Sequence, residues 1–118
     1  MGLASIKGKG IHMNETAIQN NIRKELSKYG VVLRLNNGMF TTPDGRIISS
    51  GLPRGVSDLL FIGKGKVAFI ETKSANGHAT KEQINFINKM RELGHIAGIA
   101  RSVREACEMI GEEYGNND

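Results

Sequence analysis

The stretch Asp58-Leu59-Leu60-Phe61-Ile62-Gly63-Lys64-Gly65-Lys66-Val67-Ala68-Phe69-Ile70-Glu71-Thr72-Lys73 decides the fold. Two apolar runs flank a Gly-Lys-Gly-Lys tip, the pattern of an antiparallel hairpin. With residues 63–66 as the loop, Ile62 faces Val67, Leu60 faces Phe69 and Asp58 faces Glu71. Directly opposed residues carry Cβ atoms about 4.5–5.5 Å apart. Side chains alternate along a strand, so Asp58, Leu60, Ile62, Val67, Phe69, Glu71 and Lys73 share one face, and Leu59, Phe61, Ala68 and Ile70 share the other. Both faces are apolar, which predicts strands buried on both sides.

Two carboxylates and an ammonium therefore meet at one end of a buried hairpin. Like charges that close repel, and desolvation adds to the cost. A divalent cation would offset both effects. Mg²⁺ and Mn²⁺ take oxygen ligands, and Mg²⁺ often uses one or two carboxylates with waters and a substrate phosphate. Lys73 could then steer an attacking water or stabilise charge on the phosphate. The alternative is a structural salt bridge between Lys73 and either acid. The register matters here, because a slip of one residue would put Asp58 and Glu71 on different faces.

Working outward, Asn14 caps a helix running to about Tyr29, with Ile18, Ile22, Leu26 and Tyr29 at helical spacing and Gly30 as its stop. Residues 31–35 read as a strand. Residues 39–42 and 46–49 flank Pro43-Asp44-Gly45 and read as a second hairpin. Residues 50–55 form a loop. Thr80-x-x-Gln83 is a capping box opening a helix to about Leu93, with Ile84, Ile87, Met90 and Leu93 on its apolar side. Residues 96–100 form a short strand, and Ser102-x-x-Glu105 opens a last helix to about Ile110. The order α-β-β-β-β-β-α-β-α predicts an α/β domain around a mixed sheet flanked by helices.

Residues 1–13 show no periodicity and run into His12-Met13, a dipeptide left by a common cloning junction. They read as an expression scar or disordered arm. Residues 14–111 form the single domain, and 112–118 a polar, acidic, frayed tail. Hydrophobic residues make up 39% and charged residues 24%, enough for an ordinary core. No apolar run spans a bilayer and no signal segment opens the chain, so a cytoplasmic location is expected. The single Cys107 excludes an internal disulfide and a cysteine-based zinc cluster, and His12, His78 and His95 lack zinc-ligand spacing. Every Lys and Arg precedes Glu105, so the body is basic and the end acidic. A basic body suits a polyanion such as nucleic acid, or is simply a solvated surface.

Other residues extend the acidic site. Glu15 opens the first helix in line with its apolar stripe, and Gln19 shares that face one turn on. Glu15 either favours the positive helix end or joins the site. Gln83 either completes the capping box or faces the sheet. Arg54, Lys81, His78 and Arg101 are either candidates for phosphate contacts or solvated surface charges. Lys64 and Lys66 lie at the hairpin tip, away from the acids. Pro53-Arg54-Gly55 lacks the pattern of a nucleotide-binding loop.

The run Gly55-Val56-Ser57-Asp58, a dozen residues, then Glu71-Thr72-Lys73 resembles the D-(x)n-E-x-K signature of the PD-(D/E)XK nuclease superfamily. With the early Glu15 and the later Gln83 in order, it is similar to the VRR-NUC family, the virus-type replication-repair nucleases, over residues 14–110. The resemblance implies a restriction-endonuclease-like core and Mg²⁺ or Mn²⁺ as cofactor. It makes Asp58 and Glu71 metal ligands with the Thr72 backbone carbonyl as a third. Lys73 positions or activates the nucleophilic water, Glu15 acts through a water or on a second metal, and Gln83 supports the site. Ser57 departs from the proline of the superfamily's name. The implied activity is endonucleolytic cleavage of branched DNA by a homodimer of phage or bacterial origin, similar to a Holliday junction resolvase. A flap or single-strand nuclease, an exonuclease, and a non-catalytic DNA-binding module are the alternatives.

Overall fold

In a computed structural model of the protein, residues 13–35 and 39–115 are described. The reading of residues 1–13 as a scar or arm lies outside them save for Met13, as do residues 116–118 of the acidic tail.

Helix α1 spans Glu15–Leu26, with the Asn14 side chain accepting from the Ala17 amide at 2.8 Å. It stops three residues short of Tyr29. The Ser27 hydroxyl donates to the Arg23 carbonyl at 2.6 Å and the chain turns there. Gly30 is not a helix stop but the first residue of strand β1 (Gly30–Arg34). A Cβ at Gly30 would sit 2.3 Å from the Ile62 carbonyl oxygen, so only glycine permits this strand to approach its neighbour.

Strand β4 (Leu59–Gly63) pairs antiparallel with β1 on one side and with β5 (Lys66–Thr72) on the other. Ile62 faces Val67 and Leu60 faces Phe69, the register expected from the tip. Helix α2 (Lys81–Glu92) crosses over, and strand β6 (Ile96–Ala100) returns parallel to β5. Helix α3 (Val103–Met109) follows. The sheet order β1-β4-β5-β6 is thus mixed. Strands β2 (Met39–Thr41) and β3 (Ile47–Ser49) form a separate two-stranded sheet around Pro43-Asp44-Gly45, where Gly45 takes φ +90°.

The sheet has one covered face and one half-covered face. Leu59, Phe61, Ala68 and Ile70 are buried against Ile18, Ile22 and Leu26 of α1 and Ala106 and Cys107 of α3. Full burial of each large side chain stabilises the fold by about 1.5–3 kcal/mol. The other face carries α2 alone, with Phe86 edge-on to Phe69 at 5.5 Å. The expectation of burial on both sides fails at its far edge: Ile62 is 41% exposed and Val31 56%. One helix covers only the β5–β6 half. In the acidic end, Arg104 donates to the Tyr114 carbonyl at 2.8 Å and lies 5.9 Å over its ring. Among the described residues, no helix is long and apolar enough to cross a membrane.

Candidate metal centre

Antiparallel pairing brings the start of β4, the end of β5 and the end of β1 to one edge of the sheet, where the Leu35 amide donates to the Asp58 carbonyl at 2.8 Å. Gly55, at φ +78°, lets the loop before Asp58 press on α2, since a Cβ there would lie 2.2 Å from the Glu82 carbonyl oxygen. Asp58 and Gln83 both lie beside Glu71.

Glu71 is 1% exposed. Its Oε2 accepts from Gln83 Nε2 at 2.9 Å and lies 3.5 Å from Lys73 Nζ. Its Oε1 is buried with no hydrogen-bond partner. Burial raises this carboxyl from the ordinary 4.5 to about 7, with the neighbouring Asp58 charge adding to the effect and Lys73 opposing it. Leaving a buried polar atom unpaired costs about 1–3 kcal/mol, and more where it carries charge.

Asp58 lies one residue before β4 and is half-buried. Its Oδ2 accepts from the Thr72 amide at 2.9 Å and from the Thr72 hydroxyl at 2.7 Å. Glu15, the first residue of α1, completes the group: Glu15, Asp58 and Glu71 each offer a carboxylate oxygen, all within 4.8 Å of one another. Glu15 thus opens the helix and also stands beside the two strand carboxylates.

Gln83 also plays both of its expected parts. Its side-chain oxygen accepts from the Thr80 amide at 2.8 Å, closing the capping box, while its nitrogen holds Glu71. Lys73 is nearly buried, with its amide bonded to the Ala100 carbonyl at 3.2 Å. Lys81 and His78 are exposed, and Arg54 is exposed with its guanidinium 4.0 Å from Glu82.

Arg101, the remaining candidate for phosphate contacts, is also held within the fold. Its Nη1 donates to the carbonyls of Ser74 and Gly77 at 2.6 and 2.7 Å, tying down the loop after Lys73. Lys66 is used elsewhere, donating to the Ile110 carbonyl at 2.6 Å behind α3. Gln19 shares the helix face of Glu15, as its spacing implies. Its Nε2 donates to the Thr72 hydroxyl at 3.1 Å. Thr72 meets Asp58 through its amide and hydroxyl, contacts that no spacing in the sequence encodes.

The donor set is all oxygen and close-spaced, with one buried oxygen unsatisfied. These residues fit a hard divalent cation such as Mg²⁺ or Mn²⁺. Neither a scan against protein-family models nor a search of curated proteins finds a match to this chain.

Proposed function

We propose that the protein is a metal-dependent nuclease that hydrolyses phosphodiester bonds in DNA, with a restriction-endonuclease-like core of the VRR-NUC type. One observation carries the reading. The Glu71 carboxylate is buried beside Asp58 and Glu15 with Oε1 unpaired. A structural salt bridge to Lys73 accounts for Oε2 and leaves Oε1 unexplained.

Asp58, Glu71 and Glu15, with the Thr72 carbonyl, would hold Mg²⁺ or Mn²⁺. When bound, such an ion supplies Lewis-acid charge to a phosphate oxygen and makes water a stronger nucleophile at neutral pH. The chain's own residues supply the rest. Gln83 fixes the Glu71 carboxylate through Oε2. Lys73 stands on the same strand face as Glu71, and its ammonium can orient water or stabilise charge gathering on the phosphate. Arg54, Lys81 and His78 are exposed, and would draw the DNA backbone towards the site, Arg54 from its ion pair with Glu82.

Branched DNA is the substrate class we favour, cleaved by a homodimer. A four-way junction is two-fold symmetric, and so is a dimer with one site per subunit. Support for a dimer comes from Met39, Phe40, Ile47 and Ile48, all exposed on a two-stranded sheet that is marginal on its own. A cytoplasmic location accords with a DNA substrate and a lone cysteine.

The test is product mapping on labelled junction, flap, single-stranded and duplex DNA with Mg²⁺, Mn²⁺ or EDTA. Paired symmetric nicks in the junction support the proposal. Cuts confined to flaps or ends give a flap nuclease or exonuclease, and binding without cleavage at any metal gives a non-catalytic DNA-binding module.

A further inference from the structure

Within Glu71-Thr72-Lys73, strand alternation sends Glu71 and Lys73 towards α2 and Thr72 towards α1. Thr72 is fully buried, yet its hydroxyl is hydrogen-bonded on both sides. The direction of these bonds follows from chemistry. A carboxylate has no proton to give, so the Thr72 hydroxyl must donate to Asp58 Oδ2. Its lone pair is then the only group left for Gln19, which must present its NH₂. The chain reads Gln19 Nε2 to Thr72 Oγ1 at 3.1 Å, then Thr72 Oγ1 to Asp58 Oδ2 at 2.7 Å. The Thr72 amide adds a second donor to the same oxygen at 2.9 Å. Both bonds are charge-assisted and converge on Oδ2, which leaves Oδ1 as the Asp58 oxygen for a cation.

The same helix carries Glu15 one turn before Gln19. The Gln19–Thr72 bond therefore also holds the end of α1 that delivers Glu15 against the sheet. It adds a directional polar link between helix and strand to the apolar packing of Ile18 and Ile22 on the sheet.

We infer that Gln19 and Thr72 are positioning residues for the cation site, fastening Asp58 by one carboxylate oxygen and registering Glu15 against it. The inference rests on the reading of Glu15, Asp58 and Glu71 as a metal site. Groups that orient metal ligands in this way typically alter metal affinity 10–100-fold when removed, by order of magnitude.

Calorimetric titration of the DNA-free protein with Mn²⁺ tests it on Thr72→Val, Thr72→Ser, Gln19→Leu and the double variant, with the melting temperature of each taken in EDTA. Valine keeps the shape of threonine and loses the hydroxyl. Thr72→Val should bind Mn²⁺ roughly 10-fold or more weakly. Thr72→Ser should stay within about threefold of the native protein, because the hydroxyl is restored. Gln19→Leu should weaken binding less than Thr72→Val, and Gln19→Leu combined with Thr72→Val should be no weaker than Thr72→Val alone, since both act on one chain of bonds. A purely structural pair would lower melting in EDTA and leave Mn²⁺ affinity of the folded protein unchanged. Native binding of Mn²⁺ with unchanged affinity in Thr72→Val and Gln19→Leu overturns this inference alone. No binding to the native protein overturns the metal site as well. Where Thr72→Val does not fold, Gln19→Leu against Thr72→Ser decides the matter by the same criterion.

Discussion

Gln83 and Glu71 are joined by a 2.9 Å hydrogen bond while the same Gln83 side chain caps its own helix. One amide thus couples the start of α2 to the buried carboxylate of β5. Its oxygen serves the fold and its nitrogen serves the site.

Replacing Gln83 with leucine should break both links. The Thr80 amide loses its acceptor and Glu71 Oε2 keeps only Lys73. We expect a loss of roughly 2–5 kcal/mol in urea unfolding, the sum of a cap and a charge-assisted bond. Gln83→Glu keeps the acceptor but sets a second carboxylate against Glu71, so it should retain the helix cap and still destabilise at neutral pH.

The Glu71 carboxyl should make the metal-free protein less stable as pH rises. Its folded pKa of about 7 lies above the ordinary 4.5, so between these values the folded protein holds a proton that the unfolded chain has lost. Stability contributed by that proton is present below pH 4.5 and is gone once pH passes about 7. The full effect is roughly 3 kcal/mol. Denaturation midpoints in EDTA at a series of pH values should show the decline. Glu71→Gln should flatten it and be the more stable protein at pH above 7.

Arg101→Ala should loosen the loop that follows Lys73. Two carbonyls, of Ser74 and Gly77, lose their shared donor. A stability loss of about 1–2 kcal/mol is expected, with faster hydrogen exchange at residues 74–77. Arg101→Lys should rescue this poorly, because an ammonium lacks the planar geometry of the guanidinium.

Phe40→Ser combined with Ile48→Ser should shift the protein from dimer to monomer in light scattering after gel filtration. The two residues face each other across the exposed hairpin. Light scattering that finds the native protein already monomeric would remove the dimer from the account.

These predictions draw on features that were unequally legible in the sequence. The hairpin register was readable because Gly63-Lys64-Gly65-Lys66 sets the turn, and alternation then fixes which residues face each other. Helix α1 was readable from Ile18, Ile22 and Leu26, but its end was not. Gly30 looks like a helix stop, whereas its use is steric, against the Ile62 carbonyl. The half-open sheet face was hidden because apolar patterning states which side chains avoid water, not how many helices are present to cover them. The bonds around Asp58 were hidden for another reason. Gln19 and Thr72 are 53 residues apart, and no periodicity encodes which hydroxyl meets which amide. The Arg101 clamp was hidden in the same way, since a loop arginine and a loop clamp look alike until the carbonyls are in place.

The central claim is that Glu71 and its neighbours form a catalytic cation site acting on DNA. Its most direct test is cleavage of a labelled four-way junction by the native protein, Glu71→Ala and Lys73→Ala, each with Mn²⁺ and with EDTA. We predict cleavage by the native protein only with Mn²⁺, and its loss in both variants even with Mn²⁺ present. Cleavage that persists in EDTA, or that survives Glu71→Ala and Lys73→Ala unchanged, would contradict the account.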